Sequence, residues 1–409
     1  MPTINRERFL ENLVELAKIG ATPEGGVTRL ALSPEDVAGR AWFRQRILES
    51  GLEFRQDGAG NLSAVLPSNN PNAQTLLAGS HLDTVPNGGR YDGALGVLCA
   101  LEALRTIKEA GLALPYHLEA ISFTDEEGTF FGILGSQAVA GQLTETDLAH
   151  TREGMAALEL GMERVGITAV SLLSAQRDPS TLRGFVEVHV EQGTRLEEAG
   201  LDIGVVTGIV GIRSAWLHFG GQAAHAGTMP LAKRADALWG ATEFIQRAKA
   251  LVSEQYTPGV MNCGELEIGP GAFNIVPATA KLSLEFRHGT EKLLDEMETV
   301  LLSLAREVAE ANGLTLSIQP VHGCLSAPAA EEVMVAIEKA AVSLGLSSKR
   351  MMSFAGHDTQ AMSSITPSGM IFVPSVDGIS HNPKELTHED DLVNGANTLL
   401  NTLLNLVDV

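Results

Sequence analysis

The sequence predicts an α/β fold: a large domain with a parallel or mixed sheet between helices, carrying a smaller inserted α+β domain. Helical and strand patterns alternate through the first half of the chain, which is typical of layered α/β domains. Near residue 211 the order changes to a β-α-β-β-α-β-like succession, typical of a compact ferredoxin-like layer. Helical patterns then return. We therefore expect residues 1–211 and 326–409 to form one domain and residues 212–325 to be inserted in it.

The individual elements follow from the spacing of apolar residues along the chain. In the large domain this spacing predicts helices at 5–19, 34–50, 94–110, 329–345 and 391–407, and strands at 52–66, 75–80, 117–124, 184–190 and 370–374. In the inserted domain it predicts helices at 231–251 and 291–311, and strands at 213–219, 279–287 and 315–319. Several of these strands end in polar loops, and those loops carry the candidate functional side chains.

Composition and charge limit the class of protein. Of the 409 residues, 44% are hydrophobic and 19% are charged, which favours a globular protein over a disordered one. The chain has 29 Lys and Arg against 50 Asp and Glu, for a formal charge of −21. Nucleic acids and anionic membranes are bound through basic surfaces, so neither is expected as a partner.

The cysteines and the first residues of the chain predict a cytoplasmic protein. Cys99, Cys263 and Cys324 are odd in number and widely spaced, which suits a reducing compartment. The first residues lack the unbroken apolar core of a signal peptide. No apolar run is long enough to span a bilayer.

The loop at 79–93 follows one predicted strand and precedes a helix, and it contains His81, Asp83 and Asp92. Side chains two residues apart in an extended segment share a face, so Asp83 can stand behind His81 and support its ring. Asp92 returns after the turn and can share a metal with His81. The alternative is a polar loop with one solvated histidine, since short motifs often arise by chance.

Three consecutive acids, Asp125, Glu126 and Glu127, end the strand at 117–124. Crowded carboxylates repel one another, so at least one pKa should rise unless a cation lies among them. Glu126 and Glu127 point in opposite directions at a strand end, so one can ligate a metal while the other acts as a base. The alternative is a solvated acidic turn.

Two more histidines accompany predicted strands. Strict alternation at 186–193 puts Glu187, His189 and Glu191 on the face opposite the valines, and His381 follows the strand at 370–374. Open α/β sheets bind ligands beyond the carboxyl ends of their strands, so we expect the polar groups from four strand ends to converge. For each histidine alone, a purely structural role is the alternative.

The inserted domain has its own candidate residues. His225 lies in a loop of small residues, Asn274 in a turn rich in Gly and Pro, and Arg287 closes a strand. We expect these side chains to hold a substrate carboxylate, with Arg287 forming a bidentate fork. Taken singly, each is equally well explained as a surface residue.

Taken together, the motifs resemble the hydantoinase/carbamoylase family of amidohydrolases, within the superfamily of two-metal aminoacylases and carboxypeptidases. The resemblance covers nearly the whole chain. Other branches of the superfamily typically have an acidic residue at the position of His189, so this histidine favours the carbamoylase branch. The segments that carry the resemblance are GSHLDTVPNGGRYDG, FTDEEG, VEVHVEQG, AAHAGTMP, NIVP, AGHD and IFVPSVDGISHNP.

The resemblance implies a catalytic domain like that of two-metal peptidases. Asp92 would bridge two divalent ions, with His81 and His189 completing one site and Glu127 and His381 the other. This donor set suits zinc, with manganese, cobalt or nickel as alternatives.

The resemblance also assigns catalytic and substrate-binding roles. Glu126 would be the general base, Asp83 the support of His81, and His225 a stabiliser of the oxyanion that reaches the active site of a partner subunit. The inserted domain would act as a lid and mediate dimerisation, which makes the protein a homodimer. The residues matching the family's substrate-binding positions are Gln192, His225, Asn274, Arg287 and His357.

The expected activity is hydrolysis of an N-carbamoyl-L-amino acid to the amino acid, ammonia and carbon dioxide. Allantoate and N-carbamoyl-β-alanine are alternative substrates, because both carry a ureido group and a carboxylate. A dipeptidase or aminoacylase is a more distant alternative, and a non-catalytic binding protein is a different class altogether. Tyr91, Met229 and the segment 129–136 depart from the family's usual residues and leave the substrate side chain open.

Overall fold

The computed structural model describes residues 2–407, which form two compact units. The first comprises the chain up to Ile209 together with the chain from Pro328 onward, and the second is Val210–Ala327. The predicted internal boundaries lie two residues from these. The predicted outer ends, residues 1 and 409, lie outside the described residues.

The helices and strands are numbered in chain order. The strands are β1 (Glu53–Gln56), β2 (Leu62–Leu66), β3 (Thr75–His81), β4 (His117–Phe123), β5 (Leu182–Val190), β6 (Ile203–Ile209), β7 (Gly211–Gly220), β8 (Val260–Asn262), β9 (Leu266–Gly269), β10 (Thr279–His288), β11 (Thr315–Cys324), β12 (Ala327–Pro328), β13 (Ser348–Ser353) and β14 (Ser368–Val373). The helices are α1 (Arg6–Ala17), α2 (Pro34–Glu49), α3 (Ala94–Glu109), α4 (Leu134–Val139), α5 (Glu145–Ala149), α6 (Met155–Val165), α7 (Ala169–Leu173), α8 (Arg195–Ala199), α9 (Ala237–Gln255), α10 (Glu291–Ala311), α11 (Glu331–Ser343), α12 (Asp358–Met362) and α13 (Glu389–Leu406).

The first unit contains a mixed sheet, which confirms the predicted α/β class. Its strand order runs β1-β2-β4-β3-β5-β14-β6, and β13 pairs with β6. The four central strands β4, β3, β5 and β14 are mutually parallel. Strands β1 and β2 join antiparallel, and β6 is antiparallel to β14 but parallel to β13. Parallel strands covered by helices are apolar on both faces, and β3, β5 and β14 are buried along nearly their whole length.

Helix α3 is the central helix of this unit. Its residues from Ala94 to Ile107 are buried throughout, and it packs against β3 and α13. A mostly apolar helix that is buried on all sides belongs in a core rather than at a surface. Because α3 begins immediately after the loop that follows β3, its burial fixes the position of that loop against the sheet.

The second unit is an antiparallel sheet with two long helices. The order is β11-β7-β10-β8, with β9 pairing to β10. Leu282, Leu284 and Phe286 of β10 are buried in one core with residues of α9 and α10, while the alternate side chains of β10 are half-buried. One covered face and one open face are typical of antiparallel sheets.

Three local predictions differ from the structure. The strand expected at 52–66 is split into β1 and β2, because Asp57 accepts hydrogen bonds from the main chain of Ala59 and Asn61 and closes a turn. Helix α9 begins at Ala237 rather than near 231, since the Asp236 side chain caps its first turn. Strands β6, β8, β9, β12 and β13 and the short helices α4–α8 and α12 were not predicted. Within residues 2–407, no helix has both the length and the apolar character needed to cross a membrane.

Candidate metal centre

The carboxyl ends of the central strands bring the predicted residues of the first unit together. Strand β3 ends at His81, and β5 ends one residue after His189. The acidic turn follows β4, and the loop with His381 follows β14. Because β4, β3, β5 and β14 are parallel, all four ends lie at the same edge of the sheet.

Two groups of potential metal ligands lie at this edge, and Asp92 belongs to both. The first comprises His81, Asp92 and His189, and the second comprises Asp92, Glu127 and His381. In each group the ligand atoms lie within 4.8 Å of one another. Oδ1 of Asp92 is 3.1 Å from Nε2 of His189 and 3.5 Å from Nε2 of His81. Oδ2 is 3.4 Å from Nε2 of His381, so the two oxygens of Asp92 serve different groups.

The two buried imidazoles are oriented as metal ligands need to be. Nδ1 of His81 donates to the main-chain oxygen of Asp83 at 3.0 Å, and Nδ1 of His189 donates to that of Val190 at 2.9 Å. A carbonyl oxygen only accepts, so both rings carry a hydrogen on Nδ1 and direct Nε2 toward Asp92. Nε2 of His81 is buried and has no hydrogen-bond partner among the described residues. A divalent cation fits this unsatisfied nitrogen and the carboxylates around it.

Asp83 supports the site differently from the prediction. Its carboxylate is 3.7 Å from Nδ1 of His81, beyond hydrogen-bonding distance, and the main-chain oxygen holds the ring instead. The carboxylate accepts hydrogen bonds from the main-chain N–H groups of Glu126 and Glu127, at 3.3 and 3.1 Å. Asp83 therefore ties the end of β3 to the acidic turn after β4.

The acidic turn has the raised pKa values that its crowding predicted. Burial raises the pKa of Glu126 well above its usual range, and the charges of Glu127 and Asp92 add to the rise while His81 opposes it. Burial and the charge of Asp92 raise the pKa of Glu127 to about 7. One oxygen of Glu126 lies 3.4 Å from Nε2 of His81, so this carboxyl faces the first ligand group.

The charged forms of Asp92 and His381 are both favoured, so the pKa of Asp92 is lowered and that of His381 is raised. Burial alone would raise the pKa of Asp92, but the neighbouring His189, His381 and His81 hold it well below its usual range. Hydrogen bonding to Asp92 raises the pKa of His381 to about 9, against the smaller effect of burial. Asp92 is thus anionic at neutral pH, as a bridging ligand must be.

Gln192 and His357 also lie beside the ligand groups. The side-chain nitrogen of Gln192 donates to Oδ2 of Asp92 at 2.8 Å. His357 is 1% exposed, and its ring packs edge-on against His189 with 4.5 Å between centroids. Its Nε2 donates to the hydroxyl of Ser353. In this structure both residues contact Asp92 or His189, and their predicted binding of substrate stays a prediction.

The three candidates of the second unit are not brought together as predicted. The loops of His225 and Asn274 pair through their main chains, with Ala226 N donating to Asn274 O at 2.9 Å. These loops adjoin the end of β10 that begins at Thr279, whereas Arg287 lies at the other end. Eight residues at roughly 3.4 Å each separate the Cα atoms of Thr279 and Arg287 by about 27 Å. Within one chain these three side chains therefore do not meet, and their predicted binding of substrate stays a prediction.

Two residues of the centre were missed by the sequence analysis. Ser380 donates to Oδ2 of Asp92 at 2.7 Å, and the buried Glu385 accepts from the main-chain nitrogens of Tyr91 and Asp92. Burial and the charge of Asp92 raise the pKa of Glu385 to about 7. The available signal was an acid four residues after His381 in the same loop.

Two groups of histidines and carboxylates lie at one edge of the parallel strands and share Asp92. This arrangement is that of an α/β protein with a candidate dinuclear metal centre. The chain belongs to peptidase family M20/M25/M40, whose family model matches residues 77–405.

The nearer similarities lie in the carbamoylase branch, which confirms the resemblance found in the motifs. The chain is 36% identical to an N-carbamoyl-L-amino acid amidohydrolase of Geobacillus stearothermophilus, over 98% of this chain and 99% of that protein. It is 34% identical to an allantoate amidohydrolase of Bacillus subtilis, over 96% of this chain and 95% of the relative. The crystal structure of a hydantoinase/carbamoylase family amidase from Burkholderia multivorans matches with a TM-score of 0.91 at 32% identity, covering 99% of this chain and 98% of that one.

Proposed function

We propose that this protein hydrolyses the ureido C–N bond of N-carbamoyl-L-amino acids, giving the amino acid, ammonia and carbon dioxide. The observation that carries the proposal is the division of Asp92 between two ligand groups, with the carboxyl of Glu126 facing one of them. The name of the Geobacillus relative supports the substrate class.

Two divalent ions would be held by five residues. His81 and His189 would complete one site, Glu127 and His381 the other, with Asp92 shared between them. Such ions lower the pKa of bound water and polarise a carbonyl group. Three imidazoles together with carboxylates favour zinc, and manganese, cobalt and nickel are the alternatives to compare with it.

Glu126 is proposed as the group that moves the proton. It takes a proton from the attacking water as the water oxygen bonds to the ureido carbon. It then gives that proton to the terminal nitrogen as the C–N bond breaks and ammonia leaves. The carbamate that remains on the amino acid loses carbon dioxide without further help.

Substrate recognition is proposed to involve the second unit as a lid, together with Gln192 and His357. Arg287 would hold the α-carboxylate through its planar fork. The loops of His225 and Asn274 adjoin the end of β10 opposite to Arg287, which supports a homodimer in which His225 acts at the centre of a partner subunit and stabilises the oxyanion. We also propose a cytoplasmic location, which the three free cysteines support.

Two other ureido substrates remain in the proposal as alternatives. The Bacillus subtilis relative is named an allantoate amidohydrolase, and its 34% identity is close to that of the Geobacillus protein. N-carbamoyl-β-alanine, the substrate of a β-ureidopropionase, offers the same two functional groups. A dipeptidase or aminoacylase activity is disfavoured by the histidine at position 189.

The test is an ammonia-release assay on the purified protein loaded with zinc, manganese, cobalt or nickel in turn. The substrates are N-carbamoyl-L- and D-amino acids, N-carbamoyl-β-alanine and allantoate, with dipeptides assayed for amino-acid release. We expect the fastest turnover with an N-carbamoyl-L-amino acid. Faster turnover of allantoate would transfer the assignment to that substrate, and dipeptide cleavage alone would contradict the ureido-hydrolase assignment.

A further inference from the structure

Glu385 is a buried loop acid, and both of its carboxylate oxygens accept hydrogen bonds. It is 4% exposed and lies in the loop between β14 and α13, four residues after His381. Its Oε1 accepts hydrogen bonds from the main-chain nitrogens of Tyr91 at 2.7 Å and Asp92 at 3.2 Å. A single carboxylate oxygen thus holds the two peptide N–H groups that flank the α-carbon of Tyr91.

The other oxygen of Glu385 acts on the side chain of Asp92 through Ser380. The hydroxyl hydrogen of Ser380 is shared between Oδ2 of Asp92 at 2.7 Å and Oε2 of Glu385 at 3.1 Å. Asp92 is therefore held at its main-chain nitrogen and at one carboxylate oxygen by the same acid. This double contact restricts rotation of the Asp92 side chain, since both ends of the side chain are fixed.

Two glycines make these close approaches possible. A β-carbon at position 89 would collide with the carboxylate of Glu385, so a larger residue there would displace that carboxylate from the contacts it makes. Gly93 has φ +63°, and a β-carbon at that position would collide with the ring of His81. The Gly-Gly-Arg-Tyr-Asp-Gly segment is thus shaped to fit both Glu385 and the imidazole.

We propose that Glu385, acting through Ser380, is a positioning residue that directs one oxygen of Asp92 to each ligand group. Without it, Oδ2 would keep its hydrogen bond from Gln192, but the second group would hold its shared ligand less firmly. Residues that orient a metal ligand typically contribute 10- to 100-fold to metal affinity, so we expect an effect of about that size. This inference rests on the proposed metal centre.

The test compares four single variants. Glu385→Ala removes both contacts. Glu385→Gln keeps them, because its oxygen can accept from the main-chain N–H groups while its nitrogen donates to Ser380. Ser380→Ala removes only the contact with the Asp92 side chain. Glu389→Ala is the matched control, since this acid lies nearby on the exposed first turn of α13 and pairs with Arg6.

Two measurements are made on each full-length variant after circular dichroism has shown that it is folded. Hydrogen exchange of the peptide spanning residues 88–93 in chelator-treated protein reports the main-chain contact. Competition with a chromophoric chelator reports the affinity for zinc. We expect Glu385→Ala to lose amide protection and to bind zinc about 10- to 100-fold more weakly. Ser380→Ala should keep protection but bind zinc more weakly, while Glu385→Gln and Glu389→Ala should match the wild type within a few-fold.

Unchanged protection and affinity in Glu385→Ala would overturn the inference, and so would equal losses of affinity in Glu385→Ala and Glu385→Gln. If the wild type bound no divalent ion, the proposed metal centre would fail instead. The exchange measurement would then still decide whether Glu385 holds Asp92.

Discussion

Both units have polar residues near predicted strand ends, but these residues come together only in the first unit. In both, a histidine lies in a small-residue or polar loop near a strand end. In the first unit His81 and His189 are buried at one sheet edge, and their rings are fixed by main-chain carbonyls. In the second, His225 and Asn274 are exposed and Arg287 lies at the far end of β10.

The difference follows from how the strands run. Parallel strands deliver all their carboxyl ends to one edge, so residues distant in sequence meet there. Antiparallel strands alternate in direction, so the end of one strand lies beside the start of its neighbour. A polar residue at a strand end therefore predicts a shared site only when the sheet is parallel. The first unit brings its candidate side chains together, whereas the second leaves His225 and Asn274 apart from Arg287.

The largest effect is expected from Asp92→Asn, because Asp92 belongs to both ligand groups. We expect zinc affinity to fall by at least about 100-fold at both sites, with loss of turnover. Metal content after dialysis, measured by mass spectrometry, checks this. His225→Ala is the control from the second unit and should keep wild-type metal content. Two tightly bound ions in Asp92→Asn would contradict the shared role of Asp92 in the first unit.

The next largest effect is expected from Glu126→Gln. Removing a general base typically costs 10²- to 10⁴-fold in turnover, and we expect a loss in this range. Metal content should be unchanged, because Glu126 belongs to neither ligand group. Turnover and metal content measured on the same preparation separate the two roles. Near-normal turnover would remove Glu126 from the mechanism, and loss of metal would make it a ligand.

A smaller effect on recognition is expected from Arg287→Ala and His225→Ala. Loss of one charge-assisted pair costs about 1.5–3 kcal/mol, so KM should rise by roughly 10- to 150-fold for Arg287→Ala. Steady-state kinetics measure this, and Arg287→Lys tests whether the fork matters beyond the charge. Arg287 also pairs with Glu285 at 2.8 Å, so Glu285→Gln serves as a control for lost pairing in the apo protein.

Mixing these two impaired variants at a substrate concentration well below their KM tests whether His225 and Arg287 act from different chains. If each centre takes His225 from the other subunit, a mixed dimer regains one intact centre. Random exchange of subunits would then restore roughly a quarter of wild-type activity. If subunit exchange is demonstrated and activity does not recover, the proposal that His225 and Arg287 of one centre come from different chains is contradicted.

The smallest effect is a pH dependence of stability in the metal-free protein. The pKa of Glu127 is raised to about 7, so its protonated form is favoured by folding. A raised folded-state pKa contributes stability that is present at low pH and lost as pH rises toward about 7. His381, with its pKa raised to about 9, extends the loss to higher pH. Thermal unfolding of chelator-treated protein should show Tm falling between pH 5 and 8, and Glu127→Gln should reduce the slope. A Tm that rises over this range would contradict the expectation.

The sequence was sufficient for the parts of the site that depend on local pattern. His81, Glu127, His189 and His381 each lie at or shortly after an apolar strand, and that pattern predicted their meeting. The sequence could not identify Glu385, because its partners lie almost 300 residues away and are main-chain N–H groups that any residue could supply. The same reason explains Asp83, whose carboxylate binds the main chain of Glu126 and Glu127 rather than the nearer imidazole.

In the second unit the elements were easier to predict than their relative placement. Strand β10 was predicted within one residue, yet the direction in which it carries Arg287 away from Asn274 depends on the pairing of β9 with β10. That pairing comes from contacts between two strands, which apolar spacing along one strand does not specify.

Anomalous diffraction from crystals grown with zinc tests the shared role of Asp92 most directly. We predict two anomalous peaks per chain at the carboxyl edge of the parallel strands, with one oxygen of Asp92 bound to each ion. His81 and His189 should contact one ion, and Glu127 and His381 the other. A single ion, or two ions of which one does not touch Asp92, would contradict this arrangement.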